Sequence, residues 1–248
     1  MKTWLGALPT HLAITLDGNR RWSDKNGIPR KDAIYHGVHK VEEILVDWTP
    51  RFKKEYGIIP CEQLTIYALT LNNIRNRPSA ELEEIYRAFE KKIHKVLGEE
   101  KFHRCRIRVR VGGSLDLLPN YLQKAISELE KATKNYDAST FYIALAYDGN
   151  EEILEACRKM CFDKTFVESV VDSQTVDKKF QEKLYFPDAK PVDMVIRTGG
   201  ELRLSGFMLW YIGYAELFFT KTLAEDFTYE EFISMLQEFS ERDRRFGK

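Results

Sequence analysis

No apolar run in the sequence approaches the ~20 residues needed to span a bilayer. Its first residues also lack the charged and apolar segments of a signal peptide, so a cytoplasmic protein is expected. Basic residues are not in excess: 38 lysines and arginines balance 38 aspartates and glutamates. Nucleic-acid binding is therefore not expected, because phosphate neutralisation draws on a basic field, and any anion must be held by local arginine clusters. Cysteine is scarce, and Cys61, Cys105, Cys157 and Cys161 form no CxxC pair. That argues against a zinc site or a thioredoxin-like motif and leaves the four as reduced core thiols. Cys157 and Cys161 fall on one helical face without a histidine nearby, which favours packing over metal binding. P-loop and Rossmann fingerprints, internal repeats and low-complexity tracts are absent as well.

Across 248 residues, 44% are hydrophobic and 31% charged, enough apolar material for one α/β domain covering residues 1–248. Short runs rich in β-branched and aromatic residues predict six strands, at 12–16, 64–69, 107–111, 141–146, 194–196 and 217–219. Helical spacing links Val38, Val41, Leu45 and Trp48; Leu82, Ile85, Tyr86, Phe89 and Ile93; Leu122, Ala125, Ile126 and Leu129; and Ile153, Leu154 and Cys157. Strands alternating with helices of this length imply crossover units and a largely parallel sheet flanked by helices. Pro50 should end or kink the first of these helices. The polar stretch 162–191 is expected to form a helix and loop outside the sheet. A last helix, within 229–246, should bury Phe232, Met235, Leu236 and Phe239.

The first predicted strand runs into Asp17-Gly18-Asn19-Arg20-Arg21-Trp22. The carboxyl ends of parallel strands are where α/β folds bind ligands. Gly18 permits a sharp turn with exposed N–H groups, and the arginines can fork onto phosphate oxygens, so the turn suits a diphosphate. An aspartate beside phosphates is repulsive unless a divalent cation lies between them, which points to magnesium. The alternative is a plain β-turn with solvated arginines. Arg30, Arg75 and Arg77 converging on the same strand edge would turn it into a pocket.

The fifth strand ends in Arg197-Thr198-Gly199-Gly200-Glu201-Leu202-Arg203-Leu204-Ser205, where two arginines, a hydroxyl and a Gly-Gly hinge can cradle a second diphosphate. Glu216 stands among apolar residues and needs a partner. That partner is an arginine or lysine in an ion pair, or a metal ion shared with Asp17. Two phosphate cradles and two carboxylates equip a reaction that joins two diphosphates.

These segments, together with Leu64-Thr-Ile-Tyr-Ala68, Asn73, Asn76-Arg-Pro78 and the closing Arg244-Arg-Phe-Gly247, closely resemble the cis-prenyltransferases along nearly the whole chain. That family includes the undecaprenyl and dehydrodolichyl diphosphate synthases. The resemblance implies a six-stranded largely parallel sheet with a hydrophobic tunnel, and a magnesium-dependent condensation of isopentenyl diphosphate with farnesyl or geranylgeranyl diphosphate to a Z-polyprenyl diphosphate. It assigns catalytic roles to Asp17 and Asn73, and an allylic diphosphate site to Gly18, Asn19, Arg20, Arg21, Trp22, Arg30, Thr70 and Arg77. It assigns an isopentenyl diphosphate site to Arg197, Arg203, Leu204 and Ser205, completed by Arg245 and Gly247 of a neighbouring subunit. Asp17 and Glu216 would contact Mg2+, Glu216 near a dimer interface. A homodimer follows, with transient membrane-surface contact for product release.

The chain also departs from the family pattern. At 68–78 it reads Ala-Leu-Thr-Leu-Asn-Asn-Ile-Arg-Asn-Arg-Pro, where many relatives carry Phe-Ser-x-Glu-Asn-Trp before Asn-Arg-Pro. Thr70 can supply the serine hydroxyl and Asn73 keeps the asparagine. Asn72 replaces the acid, Ile74 the aromatic, and Arg75 is inserted. Ile34 stands where bacterial relatives often have histidine, and His36 is off register. His94 and His103 read as surface residues. An enzyme with a different acceptor is one alternative, allowed by the altered 72–75 loop. A non-catalytic partner subunit is another, opposed by the retention of Asp17, Arg21, Arg197, Arg203 and Glu216. A trans-prenyltransferase is disfavoured, since no DDxxD pair occurs and the pattern is not all-helical.

Overall fold

The computed structural model describes residues 2–163 and 173–244. Six strands form one sheet: β1 (His11–Thr15), β2 (Gln63–Thr70), β3 (Ile107–Gly112), β4 (Ser139–Tyr147), β5 (Met194–Arg197) and β6 (Glu216–Phe219), in the order β3-β4-β2-β1-β5-β6. Every pairing is parallel. Each expected strand is present, with ends that differ from expectation by no more than two residues.

Both faces of the sheet are covered, which is why the central strands read as apolar runs without polar alternation. Alternate residues serve two separate cores. Leu12 and Ile14 of β1 join Leu64, Ile66, Val109, Met194 and Ile196 in one cluster, whereas Ala13 joins Tyr67, Tyr142, Ala144 and Val195 in the other.

The first face carries α2 (Arg30–Glu42), α5 (Ser79–Leu97) and α7 (Asn120–Thr133), preceded by the short α1 (Asn19–Asn26). On α5 the buried stripe is Ile85, Tyr86, Ala88, Ile93 and Val96, and on α7 it is Leu122, Ala125, Ile126 and Leu129. Fully burying each such Leu or Ile contributes ~1.5–3 kcal/mol, so these stripes, rather than propensity, fix the helices on the sheet.

Pro50 does not end the helix. The chain widens into a π-helical turn at Glu43–Trp48 and continues directly as α3 (Thr49–Tyr56), with Pro50 in its first turn. Proline has no N–H to donate back along this continuous helix, and the wider π turn just before it makes room for its ring, so the interruption takes the form of a wider turn, not an end.

The short α4 (Leu71–Asn76) and α6 (Glu100–Arg104) flank α5, and α8 (Gly149–Cys161) follows β4. Of the polar stretch 162–191, residues 164–172 lie outside the described residues; α9 (Ser173–Gln181) follows. This region is not peripheral: Phe180, Leu184, Phe186 and Ala189 are buried and seal the second face. Charged residues between them hide that stripe from a periodicity reading. The final helix, α10 (Tyr229–Glu241), is capped by Thr228 Oγ1, which accepts from Glu231 N at 3.1 Å, and buries Phe232, Leu236 and Phe239. Cys61 is buried and Cys105 half-buried, but Cys157 and Cys161 are exposed on α8, correcting the expectation that all four are core thiols.

β1 pairs with β2 on one side and β5 on the other. The connection from β1 runs toward β2 and that from β5 runs the other way toward β6, opening a crevice at the carboxyl ends of the strands between them.

Candidate active site

Asp17 follows the carboxyl end of β1 and is locked to β5 through one hydroxyl. Asp17 N donates to Thr198 Oγ1 at 2.8 Å, and Thr198 Oγ1 donates to Asp17 O, also at 2.8 Å. Gly18 then adopts φ 120°, and a Cβ there would lie 2.8 Å from Leu223 Cδ2. Only glycine takes this backbone with Leu223 so close. The turn delivers Arg20 and Arg21 on the first turn of α1.

The aspartate carboxylate faces arginines. Oδ2 accepts from Arg197 Nη2 at 2.8 Å, and Oδ1 lies 3.6 Å from Arg21 Nη2. Arg197 is buried; its Nη1 donates to Ser205 Oγ at 2.9 Å and to the carbonyl of Arg203. It therefore ties the Arg203–Ser205 loop to the Asp17 turn. Arg21 also donates to the Gly199 carbonyl and lies 3.8 Å from Glu201.

On the opposite wall stands a residue absent from the expected site, Glu81 at the start of α5. It accepts from Arg20 at 2.8 and 2.9 Å and from Arg77 at 3.0 Å. Burial acts to raise the pKa of Glu81, but the bond from Arg20 and the charges of Arg77, Arg20 and Arg30 outweigh it, so the value lies below the ordinary one. An acid in the first turn of a helix is visible in sequence; its partner on α1 is set by tertiary packing. Nε of Arg77 and Nε of Arg197 are buried with no hydrogen-bond partner among the described residues.

These groups line a cavity of about 1100 Å³ whose walls include Asp17, Gly18, Asn19, Arg20, Arg21, Arg30, Thr70, Asn73, Arg77, Arg197, Arg203 and Ser205. The two expected cradles therefore open into one space. Thr70 caps α4, its Oγ1 accepting from Asn73 N at 2.9 Å, and its hydroxyl proton remains available to a ligand. Arg203 is largely exposed and pairs with Glu201 at 2.6 Å. Arg75 also lines the cavity, 3.8 Å from Glu151.

Inward, the lining becomes apolar. A second cavity of about 80 Å³ shares Val38, Val41, Ile66, Ala68 and Phe89 with the first and continues between α2, α5, α7 and the sheet. A cationic mouth joined to a hydrocarbon-lined interior fits an amphiphile with an anionic head.

Several expected site residues fall elsewhere. Trp22 donates through Nε1 to Asp226 at 2.9 Å and packs on His36 at 5.0 Å between ring centroids, off the cavity wall. Leu204 packs against the second core. Arg245 and Gly247 lie outside the described residues. Glu216 does not meet Asp17 within the chain. It opens β6 in register with Met194, itself level with Leu12, at the amino end of the sheet. Asp17 lies beyond the carboxyl end of β1, at least ~10 Å away along the strands. Glu216 instead accepts from Arg242 Nη1 at 2.8 Å, the ion-pair alternative. Among the described residues no group of three or more histidines, cysteines, aspartates or glutamates could hold a metal.

Two buried groups outside the cavity also need an account. His11 Nδ1 lies 2.7 Å from Lys190 O and Nε2 lies 2.7 Å from Thr65 Oγ1; burial pushes its pKa down to about 4, leaving it neutral and structural. His103 is half-buried, not a surface residue, with Nδ1 2.7 Å from Tyr136 Oη and Nε2 2.8 Å from Leu97 O.

The sequence matches the family model described as putative undecaprenyl diphosphate synthase over residues 15–247. It is 38% identical over 244 residues to the tritrans,polycis-undecaprenyl-diphosphate synthase (geranylgeranyl-diphosphate specific) of Thermococcus kodakarensis, covering 98% of this chain and 88% of that protein. It is 36% identical to the isoprenyl transferase of Thermotoga maritima, covering 97% of each. Among solved structures, lavandulyl diphosphate synthase from Lavandula x intermedia, in complex with dimethylallyl diphosphate, superposes with a TM-score of 0.83 at 28% identity over 97% of this chain and 98% of that one.

Proposed function

We propose that this chain, which belongs to the undecaprenyl diphosphate synthase family of cis-prenyltransferases and condenses isopentenyl diphosphate with an allylic diphosphate to a Z-polyprenyl product, takes geranylgeranyl diphosphate as its starter. Residues 1–248 act as one catalytic domain in this reading. The observation that carries it is the continuity of the arginine-lined cavity of about 1100 Å³ with the apolar space beyond it. The choice of starter is supported by the Thermococcus relative, which is named for geranylgeranyl diphosphate.

Arg20, Arg21, Arg30 and Arg77, with Gly18, Asn19 and the Thr70 hydroxyl, bind the allylic diphosphate, and its tail enters the apolar space. Arg197, Arg203 and Ser205 hold isopentenyl diphosphate, and Arg245 and Gly247 of a second copy complete that site. The site fits magnesium. Asp17 is a single carboxylate at the edge of an arginine-rich cavity, and this ion is commonly held by one or two carboxylates plus substrate phosphates. When bound, magnesium neutralises diphosphate charge and polarises the leaving group.

The chain's own groups do the rest. As the allylic carbon–oxygen bond breaks, guanidinium groups stabilise the charge gathering on the departing diphosphate. The isopentenyl double bond attacks that carbon, and proton loss sets the Z double bond. Asn73 on the cavity wall orients the acceptor and passes the proton toward a phosphate oxygen, since a neutral amide is too weak a base to keep it. The apolar lining excludes water from the cationic centre.

A homodimer is part of this reading. It is supported by Leu202, Tyr214 and Leu217, apolar and exposed around the outer strand β6. Initial-rate measurements with farnesyl and geranylgeranyl diphosphate side by side test the starter: a higher kcat/KM for geranylgeranyl diphosphate is expected, and a preference for farnesyl diphosphate overturns it.

A further inference from the structure

The inner cavity contains something a hydrocarbon compartment does not need. Its lining is aliphatic and aromatic except where Glu42 of α2 and Lys92 of α5 meet. The two are ion-paired across the helices, with side-chain exposures of only 11% for Glu42 and 21% for Lys92. Lys95 lies 3.8 Å from the same carboxylate and His39 Nδ1 lies 3.2 Å from it. Burial works against the charge on Glu42, but the hydrogen bonds from Lys92 and His39 outweigh it, so its pKa lies below the ordinary value.

The pair is remote from the diphosphate site. Along α2, Arg30 to Glu42 is a rise of ~18 Å, and along α5, Glu81 to Lys92 is ~16 Å. The inner cavity, at about 80 Å³, is smaller than the ~150 Å³ void that admits a benzene molecule. A hydrocarbon growing inward fills it and then must part α2 from α5. Besides a Lys91–Tyr35 contact of 3.3 Å and the charge of Arg30 acting on Glu81 at the diphosphate end, the polar links between these helices among the described residues run through Glu42. Parting them pulls opposite charges apart and sets each against hydrocarbon, unfavourable on both counts.

We propose that the Glu42–Lys92 pair sets the length at which elongation stops. The inference rests on the condensing activity proposed above and names a specificity determinant for it. The pair makes and breaks no bond with substrate; it raises the cost of the next addition once the tail reaches it, so release of the product overtakes further growth. Removing either charge leaves the diphosphate site intact and lowers that barrier.

The test uses the full chain with Mg2+, geranylgeranyl diphosphate and excess isopentenyl diphosphate, with product lengths read by mass spectrometry after dephosphorylation. Glu42→Gln keeps the shape and Lys92→Met keeps the stem, while the double exchange Glu42→Lys with Lys92→Glu re-forms the pair in reverse. Both single variants are expected to lengthen the dominant product by at least one isoprene unit with an unchanged KM for the first condensation, and the exchange should return the parental length. If Glu42→Gln does not fold, Lys92→Met decides. Parental or shorter products from the folded single variants overturn the proposal. A parental chain that incorporates no isopentenyl diphosphate overturns the activity beneath it instead.

Discussion

Replacing Asp17 by asparagine separates charge from shape at the centre of the site. In the parent, Asp17 Oδ2 accepts a 2.8 Å bond from Arg197 Nη2, and Oδ1 lies 3.6 Å from Arg21. Asparagine still offers Arg197 an acceptor, so what changes is a charge-assisted bond of ~1.5–3 kcal/mol becoming a neutral one of ~0.5–1.5 kcal/mol. The Asp17 side chain is 33% exposed, and solvent screening brings that difference to ~1 kcal/mol or less. For a chain of this size that lowers Tm by no more than about 2–4 °C. Turnover should fall far more, by about 10²–10³, because an electrostatic contact that acts on the diphosphate is lost. Thermal unfolding by circular dichroism, paired with initial rates of labelled isopentenyl diphosphate incorporation at saturating Mg2+, reads both effects. Turnover within about tenfold of the parent in a folded variant, a barrier change of only ~1.4 kcal/mol, would refute the metal and diphosphate role of Asp17. A collapse in Tm would make the residue structural.

Other perturbations probe separate parts of the account. Arg203→Ala should raise the KM for isopentenyl diphosphate by about tenfold, the low end of a charge-assisted contact for a largely exposed side chain, with the allylic KM unchanged; equal effects on both would place Arg203 outside the isopentenyl cradle. Because burial holds His11 near pKa 4, below its ordinary 6.5, its contribution to stability is full above pH 6.5 and is lost as pH falls toward 4, ~3 kcal/mol in all. Denaturant unfolding across that window should show the loss, and His11→Gln should flatten it. Glu225 shows the opposite sign: both its carboxylate oxygens are buried with no hydrogen-bond partner among the described residues, and burial pushes its pKa up to about 7. It therefore destabilises progressively as pH rises from 4.5 to 7 and fully above that. Glu225→Gln should raise Tm by about 2–4 °C at pH 8 and leave it unchanged near pH 4.5; an equal gain at both would rule out the carboxylate as the cause.

The sheet was readable because both its faces are buried, so each strand is a short apolar run bounded by polar residues, and all six lie where those runs predict. The Asp17 turn and the Arg197 loop were readable because each site sits within a few consecutive residues at a strand end. Glu81 was not, since its meaning depends on Arg20 lying across the cavity from α5, a contact of 61 residues' separation. Trp22 shows the converse: it is adjacent to the site in sequence, but one helical turn carries its ring away to Asp226 and His36. For Glu216, residue type and surroundings left the partner open, and the pairing with Arg242, 26 residues further along, is set by tertiary packing that no local pattern announces. The Phe180–Ala189 region was hidden for a different reason, because its buried residues are too widely spaced among charges to form a helical or strand period.

The most direct measurement incubates the purified chain with labelled isopentenyl diphosphate and geranylgeranyl diphosphate, with Mg2+ or with EDTA, and analyses the extracted lipid for length and double-bond geometry. Mg2+-dependent products longer than the starter, with new double bonds in the Z geometry, are expected. Folded protein that incorporates no label, makes E products, or works equally well in EDTA would contradict that expectation.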